Sequence, residues 1–169
     1  MTEENKIEKK LRECEKKLGE MARLKLVEQS VIAGLREEGF SEKALELFRY
    51  RKNFLIGGPE EYEADVVGSF TGSCGDRVDI YLKIEENVIK DAKYTTNGCP
   101  GAVTSASAVT LLLIGKRIDE AKNLNIKSVI EYLKKGQKSL PKHMYDCCGI
   151  PIGSLKDAVS KYETKKRGN

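Results

Sequence analysis

The chain has 169 residues, 40% of them hydrophobic and 33% charged, which suits one domain with an appendage and a heavily solvated surface. No run approaches the ~20 apolar residues of a membrane span, and the longest, Ala108 to Ile114, has the length of a buried helix, so no membrane partner is expected. Net charge is +4, much of it in Lys165-Lys-Arg167; with Lys and Glu otherwise mixed, few aromatics and no Trp, nucleic acid is not an expected partner.

The first residues, Thr2 to Lys10, lack the apolar stretch of a secretory signal, and the default compartment is the cytoplasm. Residues 3–38 read as one long amphipathic helix. Ile7, Leu11, Cys14, Leu18 and Met21 fall at spacings of 4-3-4-3, and Leu24, Val27, Val31 and Leu35 continue the stripe with a small shift. Cys14 lies on this seam and reads as a packing residue. Such a seam predicts self-association, docking of a partner helix, or packing on the domain's own sheet. Gly39 is a candidate C-cap and marks the boundary: residues 1–39 form a helical extension, 40–165 the main domain and 166–169 a basic tail.

Ser41 is a good N-cap for a second helix running to about Lys52. Asn53 to Pro59 is a loop, broken by two glycines and a proline. A first strand is expected over 64–70. Val78, Ile80, Leu82 and Ile84 alternate with polar residues, a half-buried strand. Glu86-Asn87 turns the chain into a third strand, 88–96, with Ile89, Ala92 and Tyr94 inward. Helices are expected over 102–114, 119–122 and 126–135, and a terminal one from Leu155 to Tyr162 that frays into the tail. Gly149-Ile-Pro151 reads as a turn. The fold class is α+β: a three-stranded antiparallel sheet with helices on one face, preceded by the long helix.

Five cysteines in a chain of cytoplasmic character argue for metal or redox chemistry over disulfides. Cys74 sits in a glycine-flanked loop before the second strand, and Cys99 in Asn97-Gly-Cys-Pro-Gly101, just after the third. A hairpin returns the chain to its starting end, so the two cysteines meet at one end of the sheet. Cys99 opens a helix, whose positive dipole end favours a thiolate. Asp76 is a candidate oxygen ligand. In the vicinal pair Cys147-Cys148 only one thiolate fits a shared site. Three cysteines and one oxygen suit zinc and also a [2Fe–2S] cluster. His143, the only histidine, reads as a surface group before a ligand.

Ser73-Cys-Gly-Asp76, Thr96-Asn-Gly-Cys-Pro-Gly-Ala102 with Ser105-Ala-Ser107, and Gly115-Lys-Arg-Ile-Asp-Glu-Ala121 together resemble the IscU/NifU-type iron–sulfur cluster scaffold family. The resemblance covers residues 41–165. It implies a scaffold, not an enzyme, that takes sulfur from a cysteine desulfurase, builds a [2Fe–2S] cluster on Cys74, Asp76, Cys99 and Cys147, and passes it to iron–sulfur acceptor proteins. The family's Leu-Pro-Pro-Val-Lys-Ile-His-Cys aligns without a gap on Leu140 to Cys147. That alignment selects Cys147 over Cys148 and makes it the persulfide acceptor. Asp146 stands where the family has histidine, leaving Asp76, Asp146 or another chain as sources of a fourth ligand. The family's chaperone-read Pro-Val-Lys is replaced by Lys142-His-Met. The alternative is a zinc-binding sulfurtransferase partner of the desulfurase, as in SufU-like proteins; those carry an insertion between the second and third cysteines, where this chain has 47 residues. Zinc is a possible occupant of the isolated protein.

Overall fold

The computed structural model describes residues 3–168, with side chains from Lys9 onward. The chain divides after Glu38 into two compact units. The first holds one helix, α1 (Glu3–Glu38). Gly39 follows with a φ of 112°, a conformation open to glycine and strained for other residues.

The second unit is the α+β domain. Its elements are α2 (Glu42–Tyr50), β1 (Val66–Thr71), β2 (Arg77–Glu85), β3 (Val88–Thr96), α3 (Pro100–Leu113), α4 (Ile118–Ala121), α5 (Ile126–Leu133) and α6 (Gly149–Arg167). A 3-10 helix over Lys142–Cys148 leads into α6. Ser41 caps α2, its Oγ accepting from Ala44 N at 3.0 Å. The same Oγ donates to the carbonyl of Leu133 at the end of α5 (2.6 Å).

The sheet is antiparallel in the order β1-β2-β3. Val78, Ile80, Leu82, Ile89, Ala92 and Tyr94 are all completely buried. Ile89 and Ala92 share a face despite their odd spacing because of a bulge. Lys83 faces Asp91 and Ile84 faces Ile89, so Lys90 is the extra residue that restores the alternation. The Glu86-Asn87 turn has φ values of 50° and 63°, the paired left-handed geometry of a two-residue hairpin.

α3 and α6 pack against the sheet, α3 mainly on β3 and α6 mainly on β1. Glycine sets how close α6 comes. A Cβ on Gly68 would lie 2.0 Å from the Ser154 carbonyl oxygen, and one on Gly153 would lie 2.5 Å from the Phe70 ring. Ser154, fully buried, donates from Oγ to the Val78 carbonyl (2.7 Å) and so pins α6 to β2 as well. The free edge of β1 is covered by α6 side chains. Asp157 accepts from Ser69 N (2.9 Å), and Lys161 donates to the Val67 carbonyl (3.2 Å). On the outer edge of β3, Tyr94 N donates to the Asn53 carbonyl and Leu55 N to the Tyr94 carbonyl.

Two expectations shift. The terminal helix begins at Gly149, not Leu155, and continues to Arg167. Pro151 lies in its first turn, where an amide proton would have no intrahelical acceptor, so the Gly-Ile-Pro stretch starts a helix instead of forming a turn. The first strand begins at Val66 and runs to Thr71.

Candidate metal centre

The hairpin brings both cysteine loops to one end of the sheet. β1 and β2 are joined by a tight turn in which Gly75 N donates to the Gly72 carbonyl (3.0 Å) and Gly72 N to the Asp76 carbonyl (2.8 Å). Cys74 sits at its exposed tip. Beyond β3 the loop is sewn to the start of β2. Arg77 N donates to Asn97 Oδ1 (2.8 Å), Thr96 Oγ1 to the Arg77 carbonyl (2.7 Å), and Gly98 N to Thr96 Oγ1 (3.0 Å). Cys99 is the N-cap residue of α3, and its side chain makes no capping bond. The Asp76 carboxylate reaches across and accepts from Cys99 N at 3.1 Å.

Cys147 arrives from the 3-10 helix, its Sγ 3.6 Å from Cys99 Sγ. Two thiolates on one tetrahedral ion with Zn–S bonds of ~2.3 Å stand about 3.8 Å apart. This pair is therefore already spaced for a shared ion. Burial, the hydrogen bond the Cys147 thiol shares with Cys99, and the charges of Cys99, Cys148 and Cys74, in that order, push the Cys147 thiol up to about 12. It is therefore a thiol at neutral pH, and ionisation waits for a metal or another positive charge.

Glycine lies close under the site. A Cβ on Gly101 would come within 3.1 Å of Cys147 Sγ, one on Gly98 within 2.6 Å of Ala102 Cβ and 3.1 Å of Asp76 Oδ2, and one on Gly72 within 2.9 Å of Ile150 Cδ1. Of the candidate ligands, Cys147 is the one whose sulfur is the first atom such a side chain would meet.

Cys148 is completely buried, and burial pushes its thiol up to about 12. It packs in the core, while its neighbour Cys147 meets Cys99. His143 and Asp146 are exposed on the 3-10 helix, and Cys14 is exposed on α1, not packed. Among the described residues, no three His, Cys, Asp or Glu side chains converge closely enough to hold an ion as they stand.

Ser105 and Ser107 gain roles that spacing alone does not reveal. Ser105 is fully buried, and its single hydroxyl proton lies within reach of the Gly101 carbonyl (2.6 Å) and the Cys147 carbonyl (3.2 Å). It ties the Cys147 backbone to the first turn of α3. Ser107 bonds the buried Tyr94 hydroxyl at 2.8 Å and so fixes α3 to β3. A Ser-x-Ser pair just inside a small-residue helix was the available signal.

Among the described residues, no helix is long and apolar enough to cross a membrane. The model of the NifU-like N terminal domain matches residues 40–169. The chain is 33% identical to an iron-sulfur cluster assembly protein IscU of Plasmodium falciparum over 128 residues, 75% of each chain. It is also 33% identical to an iron-sulfur cluster assembly scaffold protein IscU 1 of Archaeoglobus fulgidus over 127 residues, covering 75% of this chain and 78% of the other. The crystal structure of a nitrogen-fixing NifU-like protein (N-terminal) from Brucella abortus superposes with a TM-score of 0.56 at 18% identity, over 78% of this chain and 99% of that one. With its α+β architecture and ordered motifs, this chain belongs to the NifU-like N-terminal domain family.

Proposed function

We propose that this chain is a cytoplasmic, non-catalytic scaffold on which a [2Fe–2S] cluster is built from iron and desulfurase-derived sulfur, then handed to acceptor proteins. The observation that carries the reading is the pairing of Cys99 Sγ with Cys147 Sγ at 3.6 Å, beside the Asp76 carboxylate bonded to the Cys99 amide, at the same end of the hairpin as Cys74. The IscU relatives, an iron-sulfur cluster assembly protein and an iron-sulfur cluster assembly scaffold protein, support the scaffold part of this reading.

Cys99 and Cys147 take the first iron, because their sulfurs are spaced for one ion. Cys74 joins from its exposed turn. Asp76 is held by the Cys99 amide until an ion competes for its carboxylate. Sulfur enters at Cys147: its thiolate attacks the outer sulfur of the desulfurase persulfide, a new S–S bond forms on Cys147, and the desulfurase thiolate leaves. The raised Cys147 thiol makes this attack dependent on prior loss of its proton.

Anaerobic reconstitution with ferrous iron and sulfide tests the proposal. Visible charge-transfer absorption is expected in the native chain and absent in Cys74→Ala, Cys99→Ala and Cys147→Ala, with folding checked by circular dichroism. A tightly held zinc ion, no chromophore and sulfur acceptance by the zinc form would sink it in favour of a zinc-dependent sulfur carrier.

A further inference from the structure

Among the described residues, the unit that ends at Glu38 holds a single helix, α1, and a single helix has no second element of its own to cover an apolar seam. Leu11, Leu18, Met21, Leu24 and Val27 are each 58–69% exposed and Val31 is 44% exposed. Leu26 is exposed too but falls outside the stripe. Monomers seldom leave so long an apolar stripe in water.

From Ile7 to Leu35 the stripe takes eight steps over 28 residues, a mean of 3.5. The 4-3-4-3 steps from Ile7 to Met21 are those of a coiled-coil heptad, and the successive steps of three through Leu24 and Val27 shift its phase once. The flanking charges are sorted by sign. The positions just before the seam residues Leu11, Leu18 and Leu24 are Lys10, Lys17 and Arg23. Those just after Cys14, Met21 and Val27 are Glu15, Ala22 and Glu28.

We propose that α1 pairs with α1 of a second copy of this chain as a parallel, in-register coiled coil. In that arrangement each leading flank meets the trailing flank five residues on in the other helix. Lys10 then faces Glu15 of the second copy, Arg23 faces Glu28, and Lys17 faces the neutral Ala22. An antiparallel pair would set leading flanks against leading flanks, basic against basic, and acidic against acidic. The charge pattern therefore selects both the partner and the direction. It also sets Cys14 opposite Cys14 across the seam, which provides a reporter.

Sedimentation equilibrium on the full chain under reducing conditions is expected to give twice the 18.9 kDa chain mass over roughly 1–100 μM. Leu18→Glu with Val27→Glu should weaken the dimer at least about 100-fold, since each buried aliphatic side chain contributes a factor of ~10 or more. If that variant loses helix by circular dichroism, surface charges decide instead. Lys10→Glu with Arg23→Glu should weaken the dimer, and adding Glu15→Lys with Glu28→Lys should restore it. Diamide should cross-link the native chain into a disulfide dimer that Cys14→Ser abolishes. A monomer throughout overturns the proposal, and so does a dimer indifferent to the seam variants. A dimer that neither cross-links at Cys14 nor recovers on charge exchange also overturns it.

Discussion

Glycine permits close approach in two regions of the domain, with different consequences. Between β1 and α6, the absent side chain of Gly68 leaves room for backbone: the Ser154 carbonyl oxygen and the Ala158 amide nitrogen. At the cysteine end, Gly101 leaves room for side chains, those of Cys147 and Met144. Backbone of a helix cannot yield without moving the helix. A thiol can swing aside. The first contact therefore holds the fold together, and the second holds the site's geometry.

Substitution separates the two. Gly68→Ala forces a Cβ to within 2.0 Å of a carbonyl oxygen, so α6 must lift from the sheet. We expect a loss of about 3 kcal/mol or more in urea denaturation, with cluster loading lost alongside. A near-native urea midpoint would dissolve the distinction. Gly101→Ala meets Cys147 Sγ at 3.1 Å, Cys147 Cβ at 3.2 Å and Met144 Cβ at 3.3 Å, contacts that give by a few tenths of an ångström. The alanine gains up to ~1 kcal/mol of helix propensity, so stability should change by less than about 1 kcal/mol, while the cysteine pair is pushed apart. Iron loading at equal protein concentration should fall several-fold, measured by reconstitution titration.

The thiols offer a third test, by pH. Cys147 and Cys148 are both raised from 9.0 to about 12 in the folded chain. Between these values the unfolded chain releases protons that the folded chain keeps, so the folded state binds more and stability falls as pH rises. That stabilisation is complete below pH 9 and is lost progressively toward pH 12. The urea midpoint should decline across that window, and less steeply in Cys147→Ser. Metal loading runs the other way: each thiol proton displaced makes uptake weaker at lower pH.

The smallest expected effect lies at the edge of β1. The Asp157 carboxyl is held below its ordinary value by hydrogen bonds from Lys161 and the Ser69 amide. This stabilisation is present at neutral pH and is lost as pH falls through the lowered value. Because the group is partly exposed and screened, Asp157→Asn should cost no more than about 0.5–1 kcal/mol near neutrality, seen as a small shift in thermal midpoint.

Much of the frame was legible in the residues. Alternation from Val78 to Ile84 and the polar turn at Glu86-Asn87 predict a hairpin, and a hairpin alone brings Cys74 toward Cys99. Ile89, Ala92 and Tyr94 are readable as inward, although their spacing becomes regular only with the bulge at Lys90. The start of α6 was hidden because glycine and proline signal a turn in one context and a helix's first turn in another. The 3.6 Å approach of Cys147 to Cys99 depends on how the 3-10 helix packs on α3, which no local spacing encodes. The room at Gly101 and the Ser105 tether are invisible for the same reason: their partner, Cys147, lies far along the chain. The choice of Cys147 over Cys148 rested on resemblance. Burial now separates the pair physically, one half-buried beside Cys99 and the other enclosed in the core.

Ser41 has a reach beyond its helix. It closes the first turn of α2, holds the last turn of α5 through the Leu133 carbonyl, and through its amide grips the Ser139 carbonyl at 2.9 Å. The start of α2 and the stretch from Leu133 to Ser139, some ninety residues on, thus share one buried knot, and that stretch leads on to Cys147. Such segments open and close as a single cooperative unit, as amide exchange would record. The stretch leading to the third cysteine is thereby anchored at the entrance of the domain, by a residue with no sulfur chemistry of its own.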